Sequence, residues 1–411
     1  MRIMLINHYA GSDYNGMEFR PFYMAREWIK LGHEVVIVAA DYTHLRRKNP
    51  IIERDFDEQD IDGVKFVFIK TPEYHGNNLG RAKNIAAFCF KLSHNANMMA
   101  HKYKPEAVIA SSTYPLDIYS AAKIAKKAGA RLYFEIHDLW PLTPMEMGNL
   151  PWWNPMIMLL QAGENYAFKH SEKIISILPN TDKYIKLRGF DVSKFVYVPN
   201  GIFPDGGVVR PSDEPQVAQL KSLRKEGFFI VAYTGNHSSA NALELFIAAA
   251  AFMRDEKVKF VLAGSGNVKA ELIVQAKGAE NVLFLDSVKK DSMGALLEQI
   301  DVAYMGLAKS RLFDYGISPN KLFDYMLASK PIIYAVEASN NPVRDSNCGV
   351  TVPVGEPKKT AAAVRILMAL DKAELAKMGA NGRDYVIKNH EYATLAKRFV
   401  DNLKGSIDDG N

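Results

Sequence analysis

The sequence has little of what would place it in a membrane or an oxidising compartment. It contains only two cysteines in 411 residues, and Cys89 and Cys348 lie far apart without metal-binding spacing. They are expected to be reduced thiols of a cytoplasmic protein. No apolar run approaches the roughly 18 residues needed to cross a bilayer, so no transmembrane helix is expected. The opening MRIMLINHYA enters a strand at once, and no secretory signal peptide is therefore predicted.

Neither positive nor negative charge is in large excess. The sequence also contains no short repeat and no low-complexity segment. The formal net charge is +5 with 24% charged residues, which disfavours a nucleic-acid partner. A chain of 411 residues is too long for one comfortable hydrophobic core. Two domains of about 200 residues each are therefore expected.

What the chain does contain is an alternation of strand and helix patterns in two series. The strands of the first series are predicted at Arg2–Asn7, Val35–Ala39, Ala107–Ser111, Leu132–Ile136, Ile174–Ile177 and Val196–Val198. Those of the second are predicted at Phe229–Thr234, Lys259–Ala263, Val282–Leu285, Val302–Met305 and Ile332–Ala335. Two such series predict an α/β fold with two doubly wound parallel sheets, joined by the Pro- and Gly-rich linker Phe203–Gln216. Ligands bind at the carboxyl ends of such strands, so two facing sheets would share one cleft.

The segment Asp301–Val336 is the most informative part of the chain. A polar loop follows a buried strand, and Ser318 is predicted to be the N-cap of a helix with Asn320 and Lys321 in its first turn. Free N–H groups, the helix dipole and a lysine then meet where a phosphate could be held. Asp324 shares the same helix face and suits a ribose hydroxyl. An ordinary capped crossover helix is the alternative interpretation.

The sequence of this segment also resembles a known family. GISPNKLFDYMLASKPII is similar to the nucleotide-binding segment of retaining GT-B glycosyltransferases of the GT4 type, especially members that build bacterial surface polysaccharides such as O-antigen and capsule. Further similar segments follow in the family's order: GHEVVIV, FEIHDLWP, VPNGIF, YTGNHSSANALEL, FVLAGSGN and NVLFLDSV. The resemblance implies two Rossmann-like domains facing across a cleft. Residues 1–204 would form the acceptor side, residues 205–388 would bind the nucleotide sugar, and 389–411 would pack back on the first domain.

The second domain departs from the family pattern at informative places. Relatives carry Arg and Lys after its first strand, where this chain has Asn236 and Asn241, and a pair of glutamates where it has Gly316 and Asp324. We expect Lys321 and nearby backbone N–H groups to replace the missing cations. Gly316 lacks a side chain that would contact the donor sugar, so the sequence does not indicate which sugar is transferred. The predicted substrate contacts here are Gly235, Asn236, Asn241, Gly264, Gly266, Ser287, Val288, Gly316, Ile317, Ser318, Asn320 and Asp324.

The first domain offers candidates at the ends of two strands. Gly16 lies in a loop after the first strand that could approach a diphosphate, and Glu18 and Arg20 follow in the predicted first helical turn. An ordinary loop and a capping role for Glu18 are the alternatives. His137 and Asp138 end a buried strand, where the imidazole can contact a sugar hydroxyl and the carboxylate can orient it or accept a proton. The resemblance supports the sugar contact, and a purely structural role for His137 is the alternative. The predicted catalytic residues are His137, Asp138 and Lys321.

Metal-assisted transfer is the main competing chemistry, because transferases of another fold hold a divalent ion with D-x-D. Asp55-Phe56-Asp57 and Asp60-Ile61-Asp62 match that pattern. They lie in the acidic stretch ERDFDEQDIDG just before the predicted strand Val64–Ile69, and a solvated hairpin loop is the preferred interpretation. No metal and no cofactor are therefore expected.

Two segments suggest where the acceptor comes from. PWWNPMIMLL places Trp152 and Trp153 beside an apolar run, and the stretch from Gly80 to Lys104 mixes apolar and basic residues. Tryptophan and basic residues together are typical of interfacial anchors, which favours peripheral contact with the inner face of the cell membrane. Core packing is the alternative. The basic residues are Arg81, Lys83, Lys91, Lys102 and Lys104.

The sequence thus predicts a metal-independent, retaining glycosyltransferase. It would move a hexosyl or N-acetylhexosaminyl group from a nucleotide diphosphate donor, most simply a UDP-sugar, to a glycan or polyprenyl-diphosphate-linked saccharide. Two alternatives stay open. One is a UDP-sugar epimerase of the same fold, and the other is a catalytically idle protein that binds sugar nucleotides.

Overall fold

A computed structural model describes residues 1–76, 79–207 and 209–404. The chain divides into two compact units. Unit 1 comprises Met1–Asn200, Tyr315–Ser318 and the chain from Tyr392, whereas unit 2 comprises Gly201–Asp314 and Pro319–Glu391. Residue 208 of the predicted linker and residues 405–411 of the predicted C-terminal segment lie outside the described residues.

Unit 1 is built on an eight-stranded sheet in the order β3-β4-β2-β1-β5-β6-β7-β8. Its strands are β1 (Arg2–Ile6), β2 (Glu34–Ala40), β3 (Asp57–Ile61), β4 (Val64–Ile69), β5 (Ala107–Ala110), β6 (Arg131–Ile136), β7 (Lys173–Ser176) and β8 (Phe195–Tyr197). The strands pair in parallel except β3, which pairs antiparallel with β4. Apolar side chains such as Met4, Val38 and Val108 are fully buried and form the core.

The acidic stretch was predicted to be a solvated hairpin loop, and it contains the additional strand β3. Because β3 pairs antiparallel with β4, the sheet of unit 1 is mixed and not wholly parallel as predicted. Along β3 half-buried and exposed residues alternate, which is the period of a strand at a sheet edge. Asp62 and Gly63 adopt positive φ of 50° and 81°, and they close the two-residue hairpin to β4. Exposed charged side chains suit an edge strand because they discourage pairing with other chains.

Seven α-helices lie within residues 1–76 and 79–200 of unit 1. They are α1 (Arg20–Lys30), α2 (Leu79–His94), α3 (Ala96–Tyr103), α4 (Ile118–Ala128), α5 (Leu142–Gly148), α6 (Pro155–His170) and α7 (Thr181–Leu187). The helical pattern at Asn84–Tyr103 is not one continuous helix. It breaks at Asn95, whose side-chain amide donates to the carbonyl of Lys91 at 2.9 Å and so competes with the helical backbone.

Unit 2 is built on a six-stranded, wholly parallel sheet in the order β11-β10-β9-β12-β13-β14. Its strands are β9 (Phe229–Thr234), β10 (Val258–Ala263), β11 (Val282–Leu285), β12 (Val302–Gly306), β13 (Ile332–Ala335) and β14 (Gly349–Thr351). Its helices are α8 (Pro215–Lys225), α9 (Leu243–Ala250), α10 (Lys269–Gln275), α11 (Met293–Glu298), α12 (Asn320–Leu327), α13 (Pro342–Ser346), α14 (Pro357–Met368) and α15 (Lys372–His390). Buried Val231, Phe260 and Tyr304 belong to its core.

The final helix, α16 (Tyr392–Leu403), belongs to unit 1. Trp28 of α1 donates its indole N–H to the carbonyl of Ala396 at 3.2 Å, and its ring meets that of Phe399 edge-on. The Tyr133 hydroxyl donates to the carbonyl of Leu403 at 2.6 Å. None of the helices within the described ranges is long and apolar enough to span a bilayer.

Candidate active site

In unit 1, polar side chains gather at the carboxyl edge of the sheet. Asn7 follows β1 and Ser111 follows β5, and the register of these two strands continues to that pair. His137 follows β6, the strand that pairs with β5 on its other side. The Asn7 amide donates to the carbonyl of Ser111 at 2.6 Å. This bond joins two adjacent strand ends and gives the edge a defined shape.

The buried carboxylate of Glu135 organises this edge. It is 2% exposed and accepts from Arg20 Nε at 3.0 Å and from the Ser111 hydroxyl at 2.6 Å. His137 Nε2 lies 3.2 Å from the same carboxylate. Burial raises the pKa of Glu135, but the charges of Arg20 and His137 outweigh burial and hold its pKa at about 2.

His137 and Glu18, both predicted site residues, lie close together. His137 Nδ1 is 3.8 Å from Glu18 Oε2. Burial lowers the pKa of His137, but the charge of Glu135 and its hydrogen bond outweigh burial, so the pKa lies above its usual value. Arg20 is hydrogen-bonded to Glu135, and its guanidinium also donates to the carbonyls of Val198 and Pro199.

Asp138, the other predicted catalytic residue of unit 1, is bound to its own turn. Its carboxylate accepts from Thr143 Oγ1 at 2.7 Å, from the backbone N–H of Leu139 at 2.9 Å and from the indole of Trp140 at 3.3 Å. The carboxylate hydrogen-bonded to the imidazole of His137 is that of Glu135.

The loop between β1 and α1 is tightly bonded rather than loose. Gly16 has φ of 102° and exchanges backbone hydrogen bonds with Ser12. A Cβ at Gly11 would lie 1.8 Å from the carbonyl oxygen of Gly16. The predicted helix start near Glu18 was early, because α1 begins at Arg20 and its N-cap residue is Phe19.

In unit 2, Lys321 lies against the carboxyl end of β9. Its ammonium donates to the Tyr233 hydroxyl, and that hydroxyl donates to the carbonyl of Asn236 at 2.7 Å. Burial lowers the pKa of Lys321 to about 7, an effect that Asp324 opposes. A Cβ at Gly235 would lie 2.9 Å from Lys321 Cε, so glycine leaves room for the lysine.

The predicted contacts around Gly264 have a structural role of their own. A Cβ at Gly264 would lie 1.9 Å from the carbonyl oxygen of Gly235, and one at Gly266 would lie 2.1 Å from that of His237. The Asn241 amide donates to the carbonyl of Asn236 at 3.0 Å. These residues therefore pack the loops after β9 and β10 against each other.

Helix α12 begins one residue later than the sequence suggested. Its N-cap residue is Pro319, and Ser318 is not the cap because its hydroxyl accepts the backbone N–H of Asn200 at 2.9 Å. Gly316 adopts φ of 95°, and Ile317 and Ser318 are buried. These three residues belong to unit 1, whereas Asn320 belongs to unit 2.

The remaining predicted substrate contacts are Asp324 on α12 and two residues of the loop after β11, Ser287 and Val288. Desolvation raises the pKa of the Asp324 carboxyl to about 6, and the charges of Lys290 and Lys321 oppose this rise. Ser287 is exposed and its hydroxyl donates to that of Ser265 at 3.2 Å, while Val288 is partly buried.

The acidic strings have local partners. Asp55 accepts from the Lys70 backbone N–H and from Lys91 Nζ, both at 2.9 Å, and Asp60 accepts the N–H of Gly63 in the hairpin turn at 2.9 Å. Throughout the described ranges, no group of three or more His, Cys, Asp and Glu residues is placed to hold a metal ion.

Comparison with known families and structures agrees with this architecture. Residues 14–205 match the model of glycosyltransferase family 4, and residues 229–369 match that of glycosyl transferases group 1. The chain is 28% identical over 320 residues to the putative colanic acid biosynthesis glycosyl transferase WcaI of Escherichia coli strain K12, covering 75% of this chain and 76% of that protein. These findings support a glycosyltransferase.

Solved structures show the fold. The chain resembles Anabaena HepE in complex with UDP-glucose, with a TM-score of 0.67 at 14% identity, covering 98% of this chain and 99% of HepE. It also resembles sucrose-phosphate synthase of Thermosynechococcus elongatus, with a TM-score of 0.72 at 14% identity and 98% of both chains covered. A third similar structure is WaaG, a glycosyltransferase involved in lipopolysaccharide biosynthesis, with a TM-score of 0.66 at 15% identity, covering 98% of this chain and 100% of WaaG. The fold is GT-B.

Sequence reasoning missed three residues that shape these clusters. Glu135 and Tyr233 lie inside strands whose sequences are otherwise mainly apolar. Ser111 is the last residue of the predicted strand Ala107–Ser111. A charged residue inside an otherwise apolar strand was the available signal for Glu135, since carboxylates are rarely fully buried unless paired. For Tyr233 the sequence held no comparable signal.

Proposed function

We propose that this protein transfers a hexosyl or N-acetylhexosaminyl group from a UDP-sugar to a hydroxyl of a growing bacterial surface glycan. The observation that carries the proposal is the pair of clusters at strand ends, around His137 in unit 1 and Lys321 in unit 2, within segments that match glycosyltransferase families. HepE, whose fold is similar, was solved with UDP-glucose. The relative WcaI is named for colanic acid biosynthesis.

In this proposal, the transferred sugar leaves the β-phosphate, and negative charge develops on the phosphate oxygen. Groups already aimed at that oxygen lower the barrier most, because they need no reorganisation during the reaction. Lys321 would be such a group, in the first turn of α12, whose N-terminus has no side-chain cap hydrogen bond. Asp324 would accept a ribose hydroxyl of the same nucleotide. This chemistry asks for no metal, and retention of anomeric configuration follows from the family resemblance.

In unit 1, His137 would contact a sugar hydroxyl. Its imidazole lies at a strand end and is held by Glu135 at 3.2 Å, so little conformational freedom would be lost on binding. Asp138 would keep the loop after β6 in shape through its bonds to Leu139 and Thr143. Gly16 would support the neighbouring loop, and Glu18 would add an acceptor for a hydroxyl.

The acceptor side of the proposal rests on an exposed apolar surface, which we call the α5–α6 surface. Its members are Met147 (62% exposed), Trp152 (67%), Trp153 (63%), Met156 (45%), Met158 (54%) and Leu159 (54%). Large exposed apolar patches mark interaction sites. We infer that this surface touches a membrane and that the acceptor is lipid-linked.

The structure changes the expected contribution of charge to such contact. Lys91 pairs with Asp55 at 2.9 Å, and Lys102 pairs with Glu58 at 2.5 Å. Two of the five basic residues proposed to meet anionic lipid are therefore already neutralised. Apolar insertion would contribute more than electrostatic attraction, so binding should persist in part at high salt.

A transfer assay tests the proposed function. Purified protein would be incubated with UDP-sugars labelled in the sugar and with bacterial lipid extract containing polyprenyl-diphosphate saccharides. Label in the lipid fraction, lost in the Lys321→Met variant, is the expected result. Conversion of the donor to a new isomer would instead identify an epimerase. Binding of UDP without transfer, hydrolysis or isomerisation would identify an idle binding protein.

A further inference from the structure

Glu135 determines which nitrogen of His137 carries a hydrogen. The Glu135 carboxylate accepts from Arg20 Nε and from the Ser111 hydroxyl, and that bond uses the only hydrogen of the hydroxyl. The Ser111 oxygen lies 2.9 Å from His137 Nε2, and Glu135 Oε2 lies 3.2 Å from the same nitrogen. Both neighbours of Nε2 can only accept, so Nε2 is protonated in the neutral and in the charged imidazole.

Nδ1 is therefore the nitrogen that gains a hydrogen when the imidazole becomes charged. It lies 3.8 Å from Glu18 Oε2, which is too long for a direct hydrogen bond. The Glu18 side chain is 26% exposed, whereas that of Glu135 is 3% exposed. Because the two atoms are 3.8 Å apart, one hydroxyl oxygen can lie within hydrogen-bond distance, about 2.8 Å, of both. It could accept from Nδ1–H and donate to the Glu18 carboxylate.

We propose that Glu135 is a positioning residue that holds His137 so that Nδ1 and Glu18 together recognise one sugar hydroxyl. This inference rests on the proposed function, because a sugar must reach unit 1. The hydroxyl belongs to the donor sugar or to the acceptor, and the recognition chemistry is the same. A sugar that lacks this hydroxyl would leave a polar pair unsatisfied and would be strongly rejected.

The charges around His137 set its pH dependence. Glu135 lies on β6, two residues before His137, and Asp138 lies in the turn after β6. Glu18 lies on the loop after β1, and Arg20 lies on α1. Glu135 and Glu18 favour the imidazolium, whereas burial and Arg20 oppose it. Only the imidazolium donates from Nδ1, since Nε2 keeps its hydrogen in both states. The hydrogen bond from Nδ1 is therefore lost as the pH rises through the raised pKa of His137, and recognition of the hydroxyl weakens.

Nitrogen-15 NMR of histidine-labelled protein tests the geometry without any substrate. The neutral imidazole of His137 should be the Nε2–H tautomer, and its titration midpoint should lie above the usual value. Glu135→Gln should shift the midpoint down by about one pH unit or more, because it removes the neighbouring charge. Glu164→Gln is the matched control, since Glu164 is a buried carboxylate of unit 1 with its own partners, Gln161 and Tyr184. An Nδ1–H tautomer, or an unchanged midpoint in Glu135→Gln, would overturn the proposal.

If Glu135→Gln does not fold, Ser111→Ala serves instead. It leaves the Arg20–Glu135 ion pair in place and removes one of the two acceptors at His137 Nε2. Its smaller effect is still expected to loosen the imidazole, seen as a second ring orientation or as exchange broadening of the His137 signals. Unbroadened signals with an unchanged midpoint would contradict a positioning role for the Glu135–Ser111 pair.

Binding and turnover then locate the hydroxyl. If it belongs to the donor, Glu18→Gln should weaken UDP-glucose about tenfold and leave UDP unchanged. If it belongs to the acceptor, both affinities stay constant while KM for the polyprenyl-diphosphate saccharide extract rises. No change in any of the three quantities would overturn recognition by this pair. The two proposals can fail separately. If the proposed function is wrong, the wild-type protein shows no sugar transfer, but the NMR result for His137 is unaffected.

Discussion

Lys321 is the residue on which the proposed chemistry depends most. The family resemblance implies cations at the positions of Asn236 and Asn241. In the structure the ammonium of Lys321 donates to the hydroxyl of Tyr233. Glycine at position 235 provides the space for its stem. Because the pKa of Lys321 is about 7, the proposed binding of a diphosphate would be sensitive to pH in the neutral range.

We predict that UDP binding above pH 7 takes up a proton at Lys321. Burial lowers its pKa to about 7, so the lysine is largely neutral at pH 8, and a bound diphosphate favours the charged form. Affinity should therefore fall as the pH rises from 7 to 9. Calorimetry in buffers of different ionisation enthalpy measures the uptake. Lys321→Met should abolish it, whereas Lys309→Met, at an exposed ion pair with Glu337, should not.

Asp324→Asn should weaken UDP binding by about 1.5–3 kcal/mol, because the proposed bond to ribose is charge-assisted. Titration calorimetry with UDP measures the change. Asp345→Asn is a suitable control, since Asp345 is another carboxylate of unit 2 and pairs with Arg344 at the surface. An unchanged affinity in Asp324→Asn would remove Asp324 from the site.

At the scale of elements, the loops after β9 and β10 depend on glycine for their packing. Gly264→Ala should lower the free energy of unfolding by about 2 kcal/mol or more, because its Cβ would meet the carbonyl of Gly235 at 1.9 Å. Gly278→Ala separates this clash from the cost of positive φ alone, since Gly278 has φ of 82° and nothing within 4 Å of an added Cβ. If chemical denaturation gives the same loss of unfolding free energy for Gly264→Ala and Gly278→Ala, the clash at Gly264 is relieved without cost.

The α5–α6 surface is the second feature of this scale. We expect wild-type protein to cosediment with anionic phosphatidylglycerol liposomes, and the double variant Trp152→Ala, Trp153→Ala to lose most of that binding. Raising salt to about 1 M should weaken binding only partly, since screening acts on the charged contribution. Leu187→Ala removes an apolar side chain that is 74% exposed elsewhere on unit 1 and should bind normally. Absence of wild-type binding at any salt would favour an acceptor that is not membrane-bound.

At the scale of the whole molecule, two buried carboxyl groups of unit 1 affect stability. Burial raises the pKa of Asp117 and that of Glu164 to about 7 each. Between their ordinary values and pH 7 the folded protein therefore binds more protons than the unfolded chain does, so stability falls as the pH rises through this window. Asp117→Asn should reduce the loss between pH 5 and pH 7.5 by about 1–2 kcal/mol in chemical denaturation. A variant with the same pH dependence as the wild type would contradict the raised pKa.

The fold was largely readable from the sequence because its strands and helices carry their own local patterns. Each predicted strand lies within one residue of an observed one, since buried parallel strands are continuous apolar runs. The resemblance in GISPNKLFDYMLASKPII indicated the GT-B fold that the structural comparisons then showed. Strand β3 was missed because its charged side chains contradict the expected composition, although they alternate correctly for an edge.

Residue partners were decided only by tertiary structure. The sequence placed His137 at a strand end, but Glu135, Ser111 and Arg20 lie on three different elements, and their convergence depends on strand order and register. Likewise, Ser318 had the local signature of an N-cap, yet its hydroxyl is taken by the backbone of Asn200, 118 positions away in the chain. Patterns that predict strands, helices and caps depend on residues that are close together in the sequence. Hydrogen bonds and pKa shifts between distant residues exist only once the sheet has brought them together.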